Sequence, residues 1–315
     1  MPLRIPPLVS EKAWGVEDFG FTADGVQAVN TTPIKWWSEY DKSTEFGSPG
    51  RYAVGLMGPN ATAEMLAISQ FAGYHRYSFS PSSSADEPKE SNGVFGVRTP
   101  QPALSIDVCH AGAEKADPRE PNFCINASIG IGSNGRSFDA WVHYRGSLSG
   151  DVMPVYLHGS LPSGSAAVSS WTVCDKDERC RTLGPGESAS SASGVLFALA
   201  HLPRATKDVV TADVLVGISF QSANLAKLNL QAALDTVGGS TSFDDLAQET
   251  ETQWCSALSA MHVTSDPSDP DLPVLLHSAH YRTLMSPTVK EVLSHRKPSR
   301  YACDAHCILL HVLVL

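Results

Sequence analysis

Apolar and polar residues alternate with a period of two along most of the chain, in short runs cut by Gly, Pro, Ser and Asn. Arg51–Met57 is followed by a Gly58-Pro59-Asn60 turn and by Thr62–Gln70, which reads as a hairpin of two half-buried strands. Gly73–Phe79 continues the pattern, with Tyr77 and Phe79 two apart and therefore on one strand face. The same reasoning predicts strands at Ala103–Val108, Asn126–Ile131, Ser137–Tyr144, Met153–Leu157, Trp171–Cys174, Gly194–Ala200 and Ala212–Phe220. Many short strands with turns between them, and no helical pattern interrupting them, predict a mainly β protein. The expected form is an antiparallel β-sandwich rather than a parallel βαβ sheet.

The period changes after Phe220. Ser222 is placed to cap a helix running to about Asp235, with Leu225, Leu228 and Ala232 on one face and Gly238-Gly239 as its stop. Ser242-Phe243-Asp244-Asp245 fits a capping box, and the helix it opens is expected to bury Leu246, Trp254, Leu258 and Met261. Asp271 opens a third helix, with Leu272, Leu275, Leu276 and Ala279 on one side and Pro287 as its stop. The chain thus divides into residues 1–44, a sandwich at 45–222, helical segments at 223–289 and a tail at 290–315. The sandwich is expected to be the independently stable unit. The tail, with neither period nor turn logic, is expected to add no native structure.

Composition narrows the function classes. In 315 residues, 42% hydrophobic and 18% charged side chains give enough apolar material to fold, which excludes disorder over most of the length. A net charge of -10 without a Lys/Arg stripe excludes nucleic acid as the expected partner. No run is long enough to span a bilayer, so no membrane partner is expected. The N-terminal MPLRIPPLVSEKAWG lacks the unbroken apolar core of a signal peptide.

Three sequons, at Asn30, Asn60 and Asn126, are N-glycosylation candidates. Among seven cysteines, Cys174 and Cys180 bracket a charged hairpin tip and Cys109 and Cys124 bracket a Pro-rich loop. Both pairs fit disulfide staples across surface loops; buried free thiols are the other reading, and neither pair has zinc or redox spacing. Sequons and loop staples together point to an oxidising, secretory compartment.

Acid–base catalysis by carboxyls needs two of them facing one another. Glu64, Asp107, Asp139 and Asp213 each sit singly in strand patterns, which predicts solvent-facing or edge carboxylates rather than a catalytic pair. His75 beside Arg76, and His110, read as satisfied structural groups rather than catalytic ones, His143 and His158 lie in separate strands with no Glu at metal spacing, and His262, His277 and His280 read as interface residues. Trp36-Trp37 is the candidate sugar-stacking site, with packing at the sandwich rim as the equal alternative. No catalytic residue and no metal ligand is assigned.

Several segments, taken in order, resemble one family. Ser48-Pro49-Gly50-Arg51-Tyr52, Thr62–Ala67 and Ala72–Phe79 are followed by Val214–Phe220 with a helix bearing Ala223, Ala226 and Asn229. Trp254 and His280-Tyr281-Arg282-Thr283 then complete the series. Their order and spacing are similar to glycoside hydrolase family 92 (GH92), the calcium-dependent inverting exo-α-mannosidases, over roughly residues 45–287. The resemblance implies a sandwich of the galactose-mutarotase type, helical linkers and a separate (α/α) barrel that supplies the acid, the base and the calcium ligands. This chain therefore resembles a non-catalytic sandwich portion of such an enzyme, cut at both ends. It is expected to bind no cofactor itself and to meet its glycan through the missing barrel. The alternatives are a stand-alone carbohydrate-binding module and a non-functional fragment.

Overall fold

The computed structural model describes residues 16–22, 25–34, 40–57, 60–81, 102–108, 123–145, 152–175, 180–191, 196–263, 271–284 and 312–314. Trp36, Trp37, Cys109 and His110 lie outside them.

The strands run in chain order as β1 (Val16–Thr22), β2 (Gly25–Ile34), β3 (Tyr40–Ser48), β4 (Arg51–Leu56), β5 (Ala61–Ser69), β6 (Ala72–Phe79), β7 (Ala103–Asp107) and β8 (Phe123–Ile131). They continue as β9 (Ser137–Arg145), β10 (Val152–Ser160), β11 (Ser170–Asp175), β12 (Cys180–Leu183), β13 (Ser188–Ser191), β14 (Leu196–His201) and β15 (Val210–Ser219). Three helices follow, α1 (Ala223–Asp235), α2 (Phe243–Leu258) and α3 (Leu272–Leu284), and then β16 (Val312–Val314). A nine-stranded antiparallel sheet has the order β13-β8-β9-β10-β15-β6-β5-β4-β3, and a smaller sheet has the order β12-β11-β14-β7-β16. β1 and β2 pair as a separate hairpin. The mainly β prediction, with helices after the strands, agrees with this architecture.

The sandwich core lies between the two sheets and is built by alternation. On β6, Tyr77 and Phe79 enter it; on β15, Ala212, Val214, Val216 and Ile218 do. Phe138 fills the centre. Gly159 lies against its ring, Trp171 packs 5.8 Å away, and the Trp171 indole donates to the Gly135 carbonyl at 3.0 Å. A Cβ at Gly159 would overlap the Phe138 ring, so this position accepts no side chain without repacking.

The reverse face of the large sheet has a second core, in which Leu66, Ile68, Ala72, Tyr74 and Leu215 meet Leu230, Ala233 and Leu234 of α1 and Phe243 and Leu246 of α2. Each such fully buried apolar side chain contributes about 2 kcal/mol. This cover explains why β15 is buried on both faces and reads as a near-continuous apolar run. Through this second core, α1 and α2 pack directly on the sandwich's large sheet. Both helix starts agree with the sequence. Ser222 caps α1 by accepting from the Leu225 N–H at 3.1 Å, and Ser242 caps α2 by accepting from Asp245.

The buried faces differ from those predicted. On α1, Leu228 is 53% exposed, and Ala226, Leu230, Ala233 and Leu234 are buried instead. On α2, Phe243, Leu246 and Thr250 are buried, while Trp254 and Leu258 are only half-buried. On α3 no residue is buried, and Leu275 and Leu276 stay exposed. The tail differs as well. Val312–Val314 pairs antiparallel with Leu104–Ile106, so it supplies an edge strand to β7. An open strand edge is a template for a branched apolar segment, which is why the tail adds here without a turn of its own.

His201 at the end of β14 lies 3.1 Å from the Thr172 hydroxyl, and burial lowers its pKa from the ordinary 6.5. A base whose pKa is depressed on folding stabilises the fold above its unfolded value. That contribution is lost as pH falls through the folded value. The melting temperature is therefore expected to fall on acidification below about pH 6.5, and His201→Gln should flatten the decline. An unchanged acid slope in the variant would remove His201 as its source.

Candidate functional site

Two clusters occupy the outer face of the large sheet, the face turned away from the sandwich core. The first is a charge ladder. Asp213 on β15, Arg76 on β6 and Glu64 on β5 lie in one register row, and Arg51 on β4 reaches Glu64 diagonally. The Arg76 guanidinium donates through Nε to Asp213 at 2.8 Å and through Nη2 at 3.3 Å, while Arg51 donates to Glu64 at 2.8 Å. The ring of Phe243 covers Arg76 at 4.4 Å and Arg51 at 5.6 Å. Tyr74 meets the same ring edge-on at 5.2 Å, and burial together with the nearby Asp213 charge pushes its phenol pKa well up. The ladder thus seats α2 on the sheet. This corrects the expectation of a solvent-facing carboxylate at Asp213, whose side chain is 9% exposed and paired.

The second cluster is partly covered: α1 packs over β15 and β10, where Ser219 and His158 are buried, while Trp141, His143 and Tyr156 are half-buried and Asp139 is exposed. β9 turns Phe138 and Ala140 inward and so presents Asp139, Trp141 and His143 outward. Register then aligns the outer face in rungs: Ser128, Trp141, Tyr156 and Ser219 in one, and Gly130, Asp139, His158 and Gly217 in the next. His143 sits 5.0 Å from the Trp141 ring. Asp139 accepts from His158 Nδ1 at 2.8 Å, with the carboxylate side chain 57% exposed and the imidazole 11%. The sequence reading named Asp139, His143 and His158 separately and missed Trp141 and Tyr156. The available signal was the strand parity relative to Phe138.

The remaining sequence candidates do not converge. His75 is buried beside the Tyr77 hydroxyl at 3.1 Å, the satisfied structural group that was expected. His277 and His280 lie on α3, where Tyr281 packs 4.8 Å from Trp254. Among the described residues, no group of three or more His, Cys, Asp or Glu side chains is placed to hold a metal ion. No helix among them is long and apolar enough to cross a membrane. Asp107 is placed on β7, Asn30 on β2 and Cys124 on β8 by their backbones. Cys180 is disulfide-bonded, and the register sets Cys174 directly across from it.

Asn60 is exposed at the β4–β5 apex with φ of 48°, a left-handed turn position that points the residue away from the sheet. Asn126 lies within β8 with its side-chain oxygen buried. Folded protein from a eukaryotic secretory host is therefore expected to carry a glycan at Asn60 and none at Asn126. Peptide mapping after enzymatic deglycosylation reads the occupancy, and a glycan at Asn126 on folded chains would contradict the placement.

No protein-family model matches the sequence, and no curated protein matches it. Solved structures do share the fold. The GH92 α-mannosidase BT3965 from Bacteroides thetaiotaomicron aligns over 73% of this chain and 26% of its own, with TM-score 0.54 and 19% identity. The GH92 glycosyl hydrolase ccman5 aligns over 81% of this chain and 30% of its own, with TM-score 0.58 and 15% identity. The GH92 inverting mannosidase BT2199 from Bacteroides thetaiotaomicron VPI-5482 aligns over 78% and 27%, with TM-score 0.55 and 13% identity. The chain therefore has the fold of a GH92-like β-sandwich, and it spans between a quarter and a third of the length of these glycosidases.

Proposed function

We propose that this chain is the non-catalytic sandwich portion of an α-mannosidase-type glycoside hydrolase, which trims α-mannose from glycans in the secretory pathway or outside the cell. The observation that carries the reading is the asymmetric coverage: 73% of this chain against 26% of the first mannosidase's length. The charge ladder supports it. Glu64 and Asp213 are committed to guanidinium partners, so these carboxylates serve the sheet rather than a scissile bond. The acid, the base and the calcium site then belong to a further domain. The exposed sequon at Asn60 and the disulfide at Cys180 support the oxidising compartment.

A stand-alone carbohydrate-binding module is the second reading, favoured by the half-buried aromatic residues Trp141, His143 and Tyr156 on the outer face of β9 and β10. Genomic sequence flanking the reading frame separates the two. An in-frame helical domain downstream supports the mannosidase portion, and stop codons in every frame on both sides would overturn it.

A further inference from the structure

We propose that the outer face of β8 and β9, with the adjoining part of β10, is a binding platform for a neutral glycan, with Trp141 and Tyr156 as its floor and Asp139 at its edge. The ligand class rests on the reading of the chain as part of a glycosidase; the site rests on geometry. Trp141 and Tyr156 are directly opposed in the ladder, so both project from the same outer face, and both are half-buried. His143, 5.0 Å from Trp141, widens the floor by one strand position. Sugar rings present one C–H face and a rim of hydroxyls, which suits an amphipathic aromatic surface edged by hydrogen-bonding groups.

The rim is present. Asp139, exposed and held at 2.8 Å by His158, offers a carboxylate with acceptor capacity left for adjacent hydroxyls. Ser128 lies opposite Trp141 on the other side.

Composition separates this face from a protein-docking surface. The two rungs through Trp141 and Asp139 carry no Leu, Ile, Val or Met and no Lys or Arg. Protein interfaces bury aliphatic side chains, as the exposed Val274, Leu275 and Leu276 of α3 are fitted to do. Anionic ligands such as nucleic acid or sulfated glycans need cations that the rungs lack. With no cation to pair an anion and a single carboxylate to accept from hydroxyls, the rungs suit an uncharged, hydroxyl-rich chain. α1 packs over β15 and β10, with Gly217 beneath Ala226 and Leu230 and with Ser219 and His158 buried, and so bounds the platform at β10.

The test is affinity electrophoresis of the full 315-residue chain through gels holding α-mannan, β-glucan or no polysaccharide. The expected result is retardation by α-mannan. Trp141→Ala and Tyr156→Ala should each lose about tenfold in affinity, the scale of one aromatic contact. His143→Ala, which removes a half-exposed ring, should shift affinity in the same direction and guards against misfolding of the larger truncations. Thermal melts confirm that each compared variant is folded. Mannan binding unchanged in all three variants would overturn the platform while leaving the mannosidase reading intact. Retardation by β-glucan alone, lost in the variants, would uphold the platform and overturn the mannosidase reading. No retardation by either polysaccharide would overturn the platform.

Discussion

Gly217→Val is expected to strip α1 from the sheet and lower the melting temperature by about 6–16 °C. Gly217 lies on the outer face of β15, where a Cβ would overlap the Ala226 carbonyl oxygen and press on the Leu230 Cβ and backbone. The obstacle is helix backbone rather than the end of a flexible side chain, so relief requires the helix to lift. Lifting it exposes Leu230 and Leu234 and breaks the bond from the Asn229 amide to the Ile218 carbonyl, 2.8 Å long. Overpacking combined with lost burial amounts to about 3–4 kcal/mol, or roughly 2–4 °C per kcal/mol in a domain of this size. Gly164→Ala is the control, because nothing lies within 4 Å of its built Cβ. Differential scanning calorimetry reads both. A Gly217→Val melt within a degree or two of wild type would mean that α1 is not seated on β15.

Arg76→Ala is expected to destabilise the chain by about 2–3 kcal/mol, below the 3–5 found for fully buried pairs because the guanidinium is partly exposed. Its side chain is 25% exposed and that of Asp213 is 9%. The variant leaves the Asp213 carboxylate buried beside the second core without its partner, and it removes the cation under the Phe243 ring. The double variant Arg76→Leu/Asp213→Leu should recover much of the loss, since it removes both charges and keeps the volume. Urea denaturation of the single and double variants gives the coupling directly. Additive losses would mean that the two side chains do not act as a pair.

The elements were legible where their signals are local, and less so where the signal lies across the fold. Ser222 and Ser242 announce α1 and α2 because a cap acts on the three residues that follow it. The faces those helices bury are decided elsewhere. Gly217 lets Ala226 approach, which rotates Leu228 outward. β12 (Cys180–Leu183) and β13 (Ser188–Ser191) carry no apolar alternation and exist because β11 and β8 offer them an edge. β16 is a strand for the same reason.

The candidate site followed this division. Asp139, His143 and His158 attract notice one at a time, but only the register of β8, β9 and β10 sets them beside Trp141 and Tyr156. Asp213 reads as a single strand carboxylate. Its pairing with Arg76 joins positions 137 residues apart. The segments that resemble GH92 include Ala226 and Asn229, and their likeness has a physical content: one packs on Gly217 and the other bonds to the Ile218 carbonyl.

On the proposed reading, this chain, which has the fold of a GH92-like β-sandwich, is a non-catalytic portion of a larger glycosidase. Incubation of the purified chain with aryl α-mannosides and with α-mannan, with calcium and with chelator, tests it most directly. The account predicts no mannose release above the blank in any condition. Calcium-dependent release of mannose by the 315-residue chain, abolished by substituting one of its own carboxylates, would contradict it.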